Sequence, residues 1–187
     1  GWSGELGYEI YLRDHVHGIE LWEMVMEAGK EHNIAPAAPN TILSIEGGIL
    51  SYVSDIRAED NSYTIGLGRL VNLDKKADFI GRDALRKIHE RGHHRRLVGI
   101  EIDASPISHN ESFWKVTHND EIVGHVSRCV FSPRLEKNIG FANVPHELKE
   151  IGTHLMINAP EGPAAATVVN TPWFPAQKTL PDIPRKN

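Results

Sequence analysis

Two apolar patterns near the start of the chain predict one strand and one helix. Residues 8–12 form a β-rich run in which alternation places Glu9 and Tyr11 on one face and three apolar side chains on the other. Over residues 18–30 apolar side chains recur at helical spacing, and Gly29 lies near the end of the pattern. The Trp and Met side chains along this helix predict that it contributes to the core.

The middle of the chain predicts two further helices and one strand. Apolar spacing indicates a helix over residues 41–52, although the pair Gly47-Gly48 lies inside it. Residues 65–71 predict a strand that contains two glycines, and residues 81–90 predict a short basic helix. This part of the chain therefore mixes helices and strands.

The rest of the chain predicts strands only. Short apolar runs occupy residues 97–102, 113–117, 121–130, 138–144 and 167–170. Asn119 and Asp120 separate the second and third runs and predict a hairpin turn. The composition shifts at a basic, histidine-rich stretch near residue 93. We therefore predict an α+β part over residues 1–92 and an all-β barrel or sandwich over residues 93–187.

Composition and charge exclude several classes of protein. The 187 residues carry 20 Lys and Arg against 25 Asp and Glu, a net charge of −5, so a nucleic-acid partner is not expected. The single cysteine, Cys129, cannot form an internal disulfide and fits the reducing cytoplasm. No apolar run approaches the roughly 20 residues of a membrane span, so no membrane partner is expected.

Local motifs supply little chemistry on their own. The sequence has no phosphate-binding loop, paired cysteines, HExxH or serine elbow. Its 11 histidines include the adjacent His93 and His94, but neighbouring side chains point apart and no compact ligand set surrounds them. We predict no metal site. The basic stretch over residues 91–96 could attract an anion such as a polyglutamate tail or simply be solvated, and Cys129 is predicted to be a small buried hydrophobe.

Glu9 carries the most specific binding hypothesis. A carboxylate accepts two parallel hydrogen bonds, so it complements a planar ring with adjacent N–H and amino donors, as a pterin has. Trp2 offers a stacking surface for the same ring. A strand carboxylate that simply faces water is the alternative left open by these residues alone.

Five stretches keep the order and approximate spacing of one known family. They are GWSGELGYEIY at residues 1–11, IEGGILSY with SDI at 45–56, GLG at 66–68, FIGRDAL at 79–85 and VFSPRLEKNIGFA at 130–142. Together they resemble the glycine-cleavage T-protein (aminomethyltransferase) superfamily of tetrahydrofolate-dependent one-carbon transferases. The resemblance implies the end of a folate-binding aminomethyltransferase domain followed by a C-terminal antiparallel β-barrel domain. Because the family is about twice as long, and no Met precedes Gly1, we expect an N-terminal half to be missing.

The resemblance also implies a set of site residues and ligands. Glu9 corresponds to the acid that contacts the pterin, Trp2 to the aromatic that lines the pocket, and Tyr11 stands beside Glu9 as a third cofactor-binding residue. Tetrahydrofolate is the implied cofactor, and a small one-carbon donor is the implied substrate. The family's acid near the reacting nitrogen belongs to the N-terminal half, so the catalytic residues are unknown and this chain alone is expected to be inactive.

Departures from the T-protein pattern favour another branch of the superfamily. Asn40-Thr41 stands where T-proteins usually have Arg-Asp, and Trp2 stands where they usually have Tyr. The Trp2-Ser3 opening, the Ala38-Pro39-Asn40 stretch and the run over residues 46–52 resemble the demethylases of dimethylsulfoniopropionate and aryl methyl ethers, which transfer a methyl group to folate. A lipoyl carrier protein would be a partner only of a true T-protein. The expected function is an aminomethyl or methyl transferase. The alternative is a folate-binding or tRNA-modifying homologue without transferase turnover.

Overall fold

The structure, a computed structural model, describes residues 2–38 and 40–175. Its helices are α1 (Gly18–Ala28), α2 (Thr41–Glu46) and α3 (Arg82–Arg91). Its strands are β1 (Arg95–Asp103), β2 (Trp114–His118), β3 (Glu121–Ser132), β4 (Lys137–Pro145), β5 (His154–Ala159) and β6 (Gly162–Val169). Single 3₁₀ turns lie at His15–His17, Lys30–His32, Gly68–Leu70 and His146–Leu148. No helix in these ranges is long and apolar enough to cross a membrane.

The six strands form a closed antiparallel barrel. Their order is β1–β4–β3–β2–β5–β6, and β6 pairs with β1. Asn119 and Asp120 both have positive φ between β2 and β3, as a tight hairpin turn of the I′ type requires. The predicted hairpin and the α+β class with a C-terminal antiparallel barrel are therefore confirmed. The boundary between residues 92 and 93 stays a prediction.

Two apolar clusters lie on opposite sides of the barrel wall. Residues from all six strands fill the interior, among them Ile100, Val116 and Ile157, which are fully buried. On the outside, Ile45 of α2 packs with Leu97, Val130, Ile139 and Phe141. The barrel thus supplies its own core and also a platform on which α2 rests.

Strand β3 contains a bulge at Ser127. Val126 pairs with Ala142, and Arg128 pairs with Phe141, which is adjacent to Ala142 on β4. Ser127 therefore has no partner residue on β4 and is the extra residue of the bulge. Val126 and Cys129 lie in the barrel interior. Ser127 and Arg128, although consecutive, both contact the same carboxylate outside the barrel.

Two predictions near the start of the chain are wrong. Residues 8–12 form no strand, because no described strand pairs with them, and all five residues are exposed. Helix α1 forms as predicted, but none of its residues is buried, so its assignment to the core is wrong. An apolar stripe becomes buried only where a second element covers it, and Trp22 is 54% exposed.

The helix predicted over residues 41–52 ends early. It begins where the Asn40 side chain accepts a hydrogen bond from the backbone N–H of Ile42, at 2.8 Å, and it ends at Glu46. Gly48 has a φ of +67°, which no right-handed helix contains.

The strand predicted over residues 65–71 is also wrong. Local hydrogen bonds satisfy its backbone instead, including that from Leu67 N to Ser62 O at 2.8 Å, and a 3₁₀ turn follows. Helix α3 confirms the basic helix predicted at residues 81–90. Strand β5 is not among the strands that the sequence predicts.

Candidate cofactor-binding site

Glu9 and Tyr11 lie together on the exposed segment that precedes α1. Tyr11 Oη donates a hydrogen bond to Glu9 Oε2, so the two side chains share a side, as alternation predicts, although no strand forms. This hydrogen bond, with a smaller contribution from desolvation, raises the pKa of Tyr11, because the carboxylate holds the phenolic proton. Within the described residues, Glu9 Oε1 has no hydrogen-bond donor and keeps its acceptor capacity.

Trp2 lies against the barrel. Its ring centroid is 5.8 Å from the guanidinium carbon of Arg128, within the range of a cation–π contact. The side chain is 42% exposed, which leaves part of the indole accessible to a planar ligand. That Trp2, Glu9 and Tyr11 line one pterin pocket stays a prediction.

Arg128 forms an ion pair, buried on both sides, that attaches the loop after α2 to β3. It pairs with Asp55, and the two side chains are 8% and 0% exposed. Asp55 also accepts hydrogen bonds from Ser127 Oγ at 2.6 Å and from the backbone N–H of Ser51 at 2.9 Å. The bulge makes this possible, because it places Ser127 and Arg128 on the same carboxylate.

The remaining donors of Arg128 hold α2 in place. Nη1 donates to Ser44 Oγ at 3.1 Å, and Nη2 donates to the carbonyl oxygen of Ile49 at 2.8 Å. Only Nε of this guanidinium lacks a partner within the described residues. Arg128 therefore connects β3, α2 and the loop that follows α2, and it also supports Trp2.

Glu46 forms the second contact with a similar set of groups. Its Oε1 accepts a hydrogen bond from Ser132 Oγ at 2.6 Å, and its Oε2 lies 3.3 Å from Arg134 Nε. Its carbonyl oxygen accepts from the backbone N–H groups of Trp173 and Phe174 at 2.9 and 3.1 Å. Each buried carboxylate thus contacts one serine and one arginine from β3 or the turn after it.

Arg134 extends this contact to the segment that carries Glu9. Its Nη1 donates to Glu5 Oε1 at 3.0 Å, and its guanidinium lies 3.9 Å from the ring centroid of Phe174. The chain is therefore fastened to the barrel at residue 5, four positions before Glu9. Residues 6–20, which follow Glu5, are exposed.

These contacts separate structural from ligand-accessible acids. Asp55 and Glu46 are buried and ion-paired. Glu46 Oε2 accepts no hydrogen bond within the described residues, but the atom is buried and out of reach of a ligand, so both acids are poor candidates for a pterin acceptor, whereas Glu9 is exposed. Sequence reasoning assigned no role to Asp55, Glu46 or Arg128. The available signal was a charged residue inside an apolar run, such as Glu46 after Ile45, which indicates a buried partner without identifying it.

Three of the histidines, His89, His93 and His146, form an aromatic cluster with Tyr63. Within the described residues, no three His, Cys, Asp or Glu side chains are placed to hold a metal ion. His93 stacks on Tyr63, with ring centroids 4.5 Å apart, and meets His146 edge-on at 5.3 Å. Burial, followed by the charge of neighbouring groups, lowers the pKa of both His93 and His146.

Cys129 is not placed as a nucleophile. It lies in the barrel interior, and burial raises the pKa of its thiol to about 12. The reactive thiolate is therefore scarce at neutral pH. The prediction that Cys129 is a small buried hydrophobe is confirmed.

Comparisons with known proteins match both parts of the chain. The model of the GCVT N-terminal domain matches residues 1–75, and that of the glycine cleavage T-protein C-terminal barrel domain matches residues 95–175. The aminomethyltransferase of Geobacillus sp. (strain WCH70) is 36% identical over 181 residues, which are 95% of this chain and 49% of the relative. That of Symbiobacterium thermophilum is 38% identical over 176 residues, 93% of this chain and 46% of the relative. The chain thus spans about half the length of the curated relatives it matches.

A solved structure shows the same fold. The crystal structure of the glycine cleavage system aminomethyltransferase T from Bartonella henselae matches with a TM-score of 0.65 at 21% identity, over 73% of this chain and 38% of that chain. The six-stranded barrel coincides with the segment that matches the family's barrel domain. Because the matches to both of its domains follow one another along a single sequence, this chain belongs to the glycine-cleavage T-protein (aminomethyltransferase) family.

Proposed function

We propose that this chain provides the pterin-anchoring carboxylate of a tetrahydrofolate-dependent one-carbon transferase. The observation that supports the proposal most strongly is the state of Glu9. It is an exposed carboxylate held from one side by Tyr11, with its second oxygen available, whereas the buried Asp55 and Glu46 are paired. The relatives it matches are named aminomethyltransferases, which supports the same reaction class.

The three candidate residues have complementary tasks in this proposal. Glu9 accepts hydrogen bonds from adjacent N–H and amino donors of the pterin. Tyr11 keeps its proton, because its pKa is raised, and orients the carboxylate by donating to Oε2. Trp2 stacks on the ring while Arg128 fixes the other side of the indole. Bound tetrahydrofolate would supply N5, the atom that takes up the one-carbon unit.

Catalysis of this kind depends on orientation and on charge near the reacting atoms more than on an enzyme nucleophile. The burial of Cys129 is consistent with that requirement. We further propose that the acid near the reacting nitrogen and the donor pocket belong to a counterpart of the relatives' other half. The donor is then an aminomethyl or a methyl compound, with a lipoyl carrier protein in the first case only, and the reaction takes place in the cytoplasm.

Calorimetric titration of tetrahydrofolate tests the anchor. We expect the Glu9→Gln variant of the full-length gene product to bind about ten- to a hundredfold more weakly than wild type, because one charge-assisted hydrogen bond is lost and an amide donor faces a pterin donor. Glu20→Gln is the matched control, since it makes the same change on the exposed surface of α1. We expect it to bind like wild type.

Two results would contradict the proposal. Equal affinity of wild type and Glu9→Gln would exclude Glu9 as the anchor. Turnover of a one-carbon donor by the 187-residue chain alone would show that the catalytic groups lie within it. A product assay on the full-length protein with an aminomethyl donor and with methyl donors on sulfur and oxygen then distinguishes the branches.

A further inference from the structure

A cavity of about 640 Å³ lies between the barrel and the loops after α2. Strands β1 and β6 form one wall, the loops over residues 48–69 form another, and the connection from β4 to β5 closes it. Trp2, Glu9 and Tyr11 are absent from its lining. The cavity is therefore separate from the candidate pterin site.

Three cationic side chains from three separate segments line this cavity. They are Arg69 in the 3₁₀ turn Gly68–Leu70, Arg96 on β1 and Lys149 between β4 and β5, and the acid in the lining is Glu150. Lys149 and Glu150 are 4.0 Å apart. Neither Arg69 nor Arg96 forms an ion pair with a carboxylate of the described residues. The cavity consequently has an excess of positive charge.

Arg96 is held in position without being neutralised. Its Nη1 donates to the carbonyl oxygen of Tyr63 at 3.0 Å. Its guanidinium also lies against Gly66, where a Cβ would be 3.1 Å from Nη2 and where φ is +84°. A residue with a side chain would be strained there and would crowd the guanidinium. The charge is thus fixed at the cavity wall and still available to a ligand.

Lys149 is fixed by the histidine cluster. Its Nζ lies 2.8 Å from His146 Nε2, which accepts a hydrogen bond from it when the ring is neutral. Burial and then the charges of Lys149 and Arg96 lower the pKa of His146, against the opposing effect of Glu147 and Glu150. The ring also meets His93, which stacks on Tyr63 and lies beside His89. The pKa of His146 is therefore sensitive to the positive charge beside the cavity.

We propose that this cavity binds a small polyanion, a ligand with two or more carboxylate or phosphate groups. Guanidinium groups bind such oxygens in pairs, and an ammonium adds a point charge. The basic stretch that the sequence shows at residues 91–96 contributes Arg96 to this site. The inference does not depend on folate binding, because it concerns different residues.

Titration of the 187-residue chain with pyrophosphate and with triglutamate tests the site. We expect saturable binding of at least one probe, weakened about three- to tenfold by Arg69→Gln and by Lys149→Gln. Lys115→Gln removes the same charge from an exposed position on β2, outside the cavity, and should have no effect. Competition between the two probes assigns them to one site, and the tighter probe identifies the source of the anionic groups.

The NMR titration of His146 provides an independent readout on the wild-type chain. A bound anion offsets the charges of Lys149 and Arg96, so saturation with the probe should raise the pKa of His146. Absence of binding by both probes would overturn the proposal. Equal weakening in Lys115→Gln and the cavity variants, or an unchanged His146 titration, would also overturn it. Neither probe contains a pterin, so failure here leaves the assignment of Glu9 untouched.

Discussion

The barrel and the N-terminal segment, residues 2–38, differ in what covers their apolar side chains. In the described part of the chain, every buried hydrophobic residue except Ile45 and Tyr63 belongs to the barrel strands. No residue of the N-terminal segment is buried, and Ile19 and Trp22 of α1 are 76% and 54% exposed. Both regions carry correct local patterns for their secondary structure. Burial, however, depends on a partner surface, which the barrel supplies to itself.

The stability of the molecule should therefore be concentrated in the barrel and its two ionic contacts. In α1 the apolar stripe is exposed, so truncating it removes little buried surface. In the barrel, truncating a buried side chain leaves a void. Removing one member of a buried ion pair leaves the other charge unpaired. Paired substitutions in the two regions test this difference directly.

The largest effect is expected where the rest of the chain joins the barrel. Asp55→Asn removes the charge that neutralises the buried Arg128 guanidinium, and it should lower the free energy of unfolding by about 3–5 kcal/mol. Glu20→Gln, in an exposed pair with His17, should cost less than about 1 kcal/mol. Urea unfolding followed by circular dichroism measures both. Similar costs for the two variants would show that the contact to β3 does not stabilise the fold.

An isoleucine pair compares the two regions by the same truncation. Ile157→Ala empties a fully buried position in the barrel and should cost about 2–5 kcal/mol. Ile19→Ala, at a position that is 76% exposed, should change the stability by less than about 0.5 kcal/mol. The same urea experiment applies. A large cost for Ile19→Ala would mean that α1 is covered in solution.

A smaller effect is expected from pH. Because the pKa values of His93, His125 and His146 are lowered in the folded chain, the unfolded chain binds protons more readily. The free energy of unfolding should not depend on these groups well above their ordinary pKa of about 6.5, and it should fall as the pH drops below that value. Urea midpoints between about pH 8 and about pH 5 measure the slope.

Single histidine variants show which region of the molecule causes this dependence of stability on pH. His146→Asn removes one of the three groups and should make the slope shallower. His15→Asn is the control, because the side chain of His15 is 97% exposed and lies in the N-terminal segment. An equal change of slope in both variants would contradict a contribution from the histidine cluster.

The sequence predicted most of the barrel because its strands are short apolar runs between polar turns. It missed β5, where the run Leu155-Met156-Ile157 conceals the alternation: Met156 is 40% exposed while its neighbours are buried. A short continuous apolar run does not distinguish a strand from a buried helix segment. The strand predicted at residues 8–12 failed for the opposite reason, since its alternation was clear but no strand of the described residues pairs with it.

The candidate site was predictable only in its local part. Alternation placed Glu9 and Tyr11 on one side, and their hydrogen bond agrees with it. The contacts of Asp55 with Ser127 and Arg128 join residues more than 70 positions apart along the chain. They arise from the closure of the barrel and from the bulge in β3, and neither feature leaves a periodic signal in the sequence.

The bulge at Ser127 is the place where the length of β3 can change without exchanging its two faces. Deleting Ser127 would make Val126 and Arg128 consecutive, opposite the consecutive Ala142 and Phe141, so the ladder would become regular and Val126 would stay in the interior. The deletion would still remove the hydroxyl group that donates to Asp55. A deletion far from the bulge would instead turn the residues on one side of it to the opposite face. A barrel transplanted from a relative could therefore lack this one residue and still keep Val126 and Cys129 in its interior.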